Sequence, residues 1–158
     1  GADYNPNWKT NPPLRSATEV EAILQAIYDG TVDAIVSDHE PHHADEKELD
    51  FADAPFGIVG LETAVPLALD RLVHGRVIGL TQLVRLMSTR PAEIFGLPGG
   101  SLREGAPADL TVLDLRAVRT VDPGNFRSRA HNTPFAGMRL KGWPVATIVG
   151  GEVVWQAS

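Results

Sequence analysis

The chain has 158 residues, with 14 Lys and Arg against 20 Asp and Glu for a net charge of −6, and is 43% hydrophobic, an ordinary composition for a globular protein. The acidic balance, without any block of consecutive basic residues, leaves no electrostatic ground for nucleic acid or an anionic membrane as a partner. Cysteine is absent, which excludes disulfides, thiolate nucleophiles and cysteine-ligated metal sites, and leaves any metal to His and carboxylates.

No apolar run exceeds three residues, against the ~20 needed to span a bilayer. The stretch Gly1 to Asn5 has neither the charged nor the apolar region of a signal peptide. The expectation is a soluble, cytoplasmic protein.

In chain order, the first fifteen residues hold three prolines and four Asn or Asp, which reads as an irregular loop ending in Asn11-Pro12-Pro13-Leu14-Arg15. Ser16 and Glu19 have the spacing of a capping box, and Val20, Ile23, Leu24, Ile27 and Tyr28 form one apolar stripe, so a helix runs to the stop at Gly30. Val32 to Val36 lacks helical spacing and is rich in β-branched residues, which predicts a buried strand. It leads directly into Ser37-Asp38-His39-Glu40-Pro41-His42-His43. Residues 44–60 read as a loop, acidic at first.

A helix is expected from about Leu61 to Val73, with Pro66 marking either a late start or a kink. Thr81 is the expected cap of a helix carrying Leu83, Val84, Leu86 and Met87, and Pro91 suits the first turn of a short helix closed by Gly96. At Pro98-Gly99-Gly100 the character turns extended, and the domain boundary is placed there. Ala108 to Leu115 reads as a strand, and Val145 to Val149 and Glu152 to Trp155 flank Gly150-Gly151, the pattern of a tight hairpin.

The sharpest chemical feature is Asp38, a carboxylate directly after the expected buried strand, with His39, His42 and His43 close behind. At the carboxyl end of a strand in a parallel α/β fold such a residue can bind a divalent metal or move a proton. In a plain surface loop the same carboxylate caps a turn and the histidines are solvated, and the spacing by itself leaves both readings open. Asn11 and Arg15 flank a rigid proline pair and either present polar groups to a ligand or satisfy their own backbone. The glycines of Ala54 to Gly60 admit backbone N–H contacts or an ordinary turn.

These segments together resemble the dihydroorotase branch of the amidohydrolase superfamily. The likeness runs in order through Asn5 to Arg15, Ser37 to His42, Ala54 to Thr63, Arg90 to Leu97, Glu104 to Leu110 and Asn132 to Gly137. The resemblance implies an α/β fold: the C-terminal part of a (β/α)8 TIM-like barrel of the amidohydrolase type over residues 1–98, then part of a small β-sandwich over 99–158, composite with a segment that precedes this chain. It further implies a zinc-dependent hydrolase of cyclic amide bonds, catalysing the reversible cyclisation of N-carbamoyl-L-aspartate to L-dihydroorotate in pyrimidine biosynthesis.

On that resemblance Asp38 is a metal ligand and the proton-transferring catalytic residue, Asn11 and His42 hold the substrate, and the loop through Pro55 and Gly57 supplies backbone contacts. One or two Zn²⁺ ions are implied, with their other ligands, a His-x-His pair among them, upstream of this region. Glu40 stands where the family commonly has alanine, and is expected to point outward. The implied partners are the small-molecule substrate, the N-terminal remainder of a longer polypeptide, a second copy in a homodimer, and an aspartate carbamoyltransferase.

One or two strands cannot close a barrel, so the chain is expected to be a C-terminal part, inactive alone. Two alternatives remain. One is another cyclic amidohydrolase, such as a dihydropyrimidinase, hydantoinase or allantoinase, against which Asn11 and His42 speak because they suit an acidic substrate. The other is a non-catalytic dihydroorotase-like scaffold for the carbamoyltransferase, which would be marked by loss of the upstream histidines.

Overall fold

The computed structural model describes residues 4–157. Of the expected N-terminal loop, Gly1, Ala2 and Asp3 lie outside the described residues. No helix of the described residues is long and apolar enough to cross a membrane.

Helix α1, Ala17–Asp29, forms where the capping pattern placed it. The Ser16 N–H donates to the Glu19 carboxylate at 2.9 Å, and Gly30 closes the helix in the left-handed conformation at φ 84°. Only the C-terminal end of its apolar stripe is covered: Ile27 is buried, whereas Val20, Ile23 and Tyr28 stand exposed.

The segment Val32 to Val36 is extended but forms no strand. A buried strand requires ladders on its flanks, and among the described residues none run alongside. The Ile35 N–H donates to the Leu86 carbonyl at 3.0 Å instead, and Val36 is 74% exposed. The single β-contact nearby is a parallel bridge between His39 and Ile58. No strand occurs before Leu110 among the described residues.

Within the expected 44–60 loop there is a short helix α2, Ala44–Lys47. Its cap is the unusual one of a histidine: His43 Nδ1 accepts from the Asp45 N–H at 3.3 Å, and the His43 N–H donates to Glu46 at 2.9 Å.

The helix expected from Leu61 begins later, as α3, Ala64–Ala68, and continues as π-helical turns over Leu69–His74. Pro66 is its third residue, where the absent N–H would have had no partner within the helix, so the late start is the outcome and Leu61 is left exposed. The next helix, α4, spans Leu80–Val84 with Gly79 rather than Thr81 at the cap; Thr81 lies inside the first turn, exposed. It passes through π-helical turns at Arg85–Thr89 into α5, Arg90–Phe95. Pro91 has no N–H to donate to the preceding turn, and the helix widens just before it. Gly96 ends α5 at φ 64°.

Three antiparallel strands follow, β1 Leu110–Thr120, β2 Arg139–Val149 and β3 Glu152–Gln156, in that order across the sheet. The β1–β2 register breaks at Pro144, opposite Leu113, because proline has no N–H for the ladder. It breaks again at Asp114, whose carboxylate takes the Arg116 and Ala117 N–H groups at 2.8 and 3.2 Å. Gly150 and Gly151 make the β2–β3 turn with φ of 58° and 85°, as the primed hairpin turns require.

Helices and sheet share a core of Ile27, Ala68, Leu69, Leu72, Ile78, Leu83 and Leu86, onto which Leu113 and Leu115 of β1 pack. Leu69 is completely buried beneath Gly142 of β2, where an added Cβ would stand 2.8 Å from the Leu69 Cβ. The Lys141 N–H donates to the Asp70 carboxylate at 2.9 Å, tying sheet to helix beside that contact.

Candidate functional site

Asp38 ends the extended segment at φ 43°, a conformation that Asp tolerates better than most residues. It is exposed, and among the described residues its carboxylate has no hydrogen-bond or ion-pair partner. His39 turns the other way. Its Nδ1 accepts from the Gly60 and Leu61 N–H groups at 3.1 and 3.4 Å, which places the ring proton on Nε2, 3.5 Å from the Ser128 hydroxyl. That hydroxyl and the Ser128 N–H donate to Glu62 at 2.7 and 2.8 Å.

The Glu62–Ser128–His39 chain is not a nucleophile triad, because the histidine nitrogen facing the serine is a donor and the serine proton is already given to Glu62. It is a strut under the Asp38 backbone. Burial raises the Glu62 carboxyl, but the two Ser128 donors, together with its own backbone N–H and the neighbouring His39, hold the group below its ordinary value. A depressed carboxyl contributes stability that is present above its unfolded-state pKa and is lost as pH falls through the folded one. Ser128→Ala is therefore expected to move the acid-unfolding limb to higher pH, read by circular dichroism; an unmoved limb would remove Glu62 from the account of this loop.

Two lysines carry the 52–57 loop. Lys9, 8% exposed, donates to the Ala52 and Ala54 carbonyls at 2.9 and 2.7 Å and lies over the Phe56 and Phe51 rings at 4.7 and 5.4 Å. Lys47 donates to the Pro55 and Pro6 carbonyls at 2.8 and 3.1 Å. Burial pushes the Lys47 ammonium below its ordinary pKa, the Lys9 charge pushes the same way, and Glu40 opposes both.

Glu40 does not point outward as expected. It is half-buried and folded over Gly57, and any side chain at Gly57 would collide with it. Attraction to the buried Lys47 ammonium supplies a reason, since an inward carboxylate partly compensates its charge.

Of the expected site residues, His42 and the Pro55–Gly57 loop are brought together through Asn132. His42 is half-buried, its Nδ1 3.7 Å from Glu46, and its N–H donates to Asn132 Oδ1 at 3.2 Å. The Gly57 N–H donates to the Lys9 carbonyl at 2.9 Å and the Gly57 carbonyl accepts from Asn132 Nδ2 at 3.3 Å. Both backbone groups of Gly57 are thus engaged, and Pro55 has no N–H. The donor this loop leaves unengaged among the described residues is the N–H of half-exposed Phe56. Asn11 is exposed, and its side chain meets none of the others.

A cavity of about 600 Å³ lies beside His42, lined also by His43, Lys47, Arg129, His131 and Asn132, but not by Asp38, Asn11 or Gly57. No group of three or more His, Cys, Asp or Glu among the described residues is arranged to hold a metal ion.

Sequence reasoning passed over Asn132, Lys9 and Lys47. Lysines read as surface charges, and an asparagine outside any periodic element carries no burial signal; the runs Asn5 to Arg15 and Asn132 to Gly137 were the only pointers to Lys9 and Asn132.

The sequence matches the amidohydrolase family over residues 10–154. A dihydroorotase of Geobacillus sp. (strain WCH70) is 52% identical over 95% of the chain, and one of Bacillus cytotoxicus 49% over 96%. The chain spans about a third of the length of these relatives, 35% and 36%. Among solved structures, the L-hydantoinase (dihydropyrimidinase) of Arthrobacter aurescens superposes on 97% of the chain with a TM-score of 0.92 at 37% identity, again over 35% of that protein. A D-hydantoinase superposes with a TM-score of 0.82 at 27% identity, over 96% of this chain and 34% of its own.

Proposed function

From the premise that this chain belongs to the amidohydrolase family, we propose that it is part of a dihydroorotase, interconverting N-carbamoyl-L-aspartate and L-dihydroorotate. Its fold is α/β, part of a (β/α)8 barrel of the amidohydrolase type followed by part of a small β-sandwich. Residues 1–98 form the barrel portion in this reading, and 99–158 the sandwich portion. The exposed apolar residues Val20, Ile23 and Tyr28 of α1 are then faces for the remainder of a longer polypeptide.

The observation that carries the reading is the free carboxylate of Asp38, held at a left-handed turn by the His39 strut beside the loops of His42 and Gly57. A carboxylate without internal partners can exchange a proton with a reacting group. In the hydrolytic direction water adds to the ring amide carbon, the C–N bond breaks, and the proton lost by water reaches the departing nitrogen; cyclisation reverses each step and releases water. Asp38 is assigned that proton. His42 and Asn11 are assigned the substrate's free carboxylate, and the Phe56 N–H, between Pro55 and Gly57, is the backbone donor open to it.

Members of this family are generally metal-dependent. This chain does not fit a zinc ion by itself, because Asp38 would supply one ligand where catalytic zinc sites use three protein ligands. We assign Asp38 to one or two Zn²⁺ ions together with ligands from outside the chain. The same reading puts the protein in the cytoplasm as a homodimer, able to associate with an aspartate carbamoyltransferase.

Hydantoinases are the second reading, favoured by the L-hydantoinase superposition. Dihydroorotases are the more similar in sequence, at 52% against 37% identity. Assay of the full-length polypeptide on carbamoyl-aspartate, dihydrouracil, hydantoin and allantoin separates them. Cyclisation of carbamoyl-aspartate is the expected result. Hydrolysis of the neutral rings without it would overturn the proposal in favour of a hydantoinase-type enzyme, and inactivity on all four would favour a scaffold.

A further inference from the structure

We propose that Asn132 is a positioning residue that fixes His42 and the Gly57 loop relative to each other, and so sets the geometry in which substrate is held. Asn132 is 6% exposed, and its side chain reaches across the chain to two loop segments. Oδ1 accepts from the His42 N–H at 3.2 Å, and Nδ2 donates to the Glu40 and Gly57 carbonyls at 3.0 and 3.3 Å. Its own main-chain carbonyl accepts from the Val59 N–H at 3.0 Å.

Only one orientation of the amide makes every contact donor to acceptor, and it uses both N–H hydrogens. An aspartate of the same shape would lose two donors; an apolar residue would lose all three bonds and leave buried main-chain groups unsatisfied. The segments 37–43 and 55–60 share one bridge, with the Glu40 N–H donating to the Ile58 carbonyl at 2.9 Å, and no ladder. Besides that bridge, His39 Nδ1 ties them at the Gly60 and Leu61 end. At the His42 and Gly57 end the side-chain tie is the amide of Asn132, which comes from a distant part of the sequence, before β2.

The inference rests on the proposed function in taking His42 and Gly57 as substrate-binding, and its test separates the two. In the full-length polypeptide, hydrogen exchange at the His42 and Val59 amides should show one common opening, because both are held by Asn132. Independent opening of the two in the wild-type protein would overturn the proposal without any variant. In Asn132→Ala the His42 amide loses its acceptor and should exchange about tenfold faster or more, and the Val59 amide, whose main-chain acceptor alanine keeps, should speed up with it because the Gly57 loop has lost its tie. KM for carbamoyl-aspartate should rise about 10- to 100-fold, with kcat falling by less.

Unchanged exchange in the variant, or loosened loops with unchanged KM, would overturn it. If the wild-type protein does not cyclise carbamoyl-aspartate yet the two amides open together and loosen in the variant, the dihydroorotase reading has failed and the link between the loops stands.

Discussion

Asp38→Asn in the full-length polypeptide should lower kcat for carbamoyl-aspartate cyclisation by about 10²–10⁴-fold, the range for loss of a positioned acid–base group. The fold should survive. Asp38 is exposed and its carboxylate bonds to no described residue, so its removal leaves nothing buried and unpaired. Asparagine is the substitution of choice because the residue sits at φ 43°. Asparagine shares aspartate's tolerance of that region, whereas alanine there would add about 1–2 kcal/mol of backbone strain and confuse the result.

Steady-state kinetics and thermal denaturation on the same preparation decide the matter. A variant with wild-type kcat would show that the reacting proton does not pass through this carboxyl group. A variant that loses activity only because it unfolds would show a lowered melting temperature in parallel, which the exposure of Asp38 argues against.

The second large effect concerns the chain alone. Residues 1–158 prepared by themselves should show no turnover on any cyclic amide and no stoichiometric zinc, because one carboxylate ligand is not a zinc site and no group of three or more His, Cys, Asp or Glu among the described residues is arranged to hold a metal ion. Metal analysis after dialysis against zinc, with carbamoyl-aspartate and dihydroorotate assays on the product, measures both. Stoichiometric zinc with measurable turnover would mean that the ligand set lies within this chain and that Asp38 is misassigned. Addition of the remainder of the proposed longer polypeptide should restore activity if the two parts associate, since α1 keeps Val20, Ile23 and Tyr28 uncovered for it.

Features governed by neighbours in sequence were legible without coordinates. The Ser16–Glu19 cap, the Gly30 and Gly96 stops and the Gly150–Gly151 turn each depend on the φ preference or reach of one or two residues, and each stands where it was expected. The order of motifs from Asn5 to Gly137 led to the amidohydrolase family; the role of Asp38, singled out by its place after an apolar run, remains a proposal.

Features that depend on distant partners were not legible. Val32 to Val36 has the composition of a strand, but a strand exists only where a ladder exists, and no composition within the segment states whether the ladder is there. Glu40 was expected to face solvent; the ammonium that favours its inward position belongs to Lys47 and the surface it covers to Gly57, so its direction is a property of the assembled loops. Asn132 is the clearest case, since its partners lie 75 to 92 positions away. Local preference is written in adjacent residues because it follows from sterics and reach along the backbone. Burial and hydrogen-bond pairing between remote segments arise only once the chain has folded, and tertiary structure alone could link His42 to the Gly57 loop through Asn132, bond Lys9 and Lys47 to the 52–57 loop, and leave the Asp38 carboxylate free.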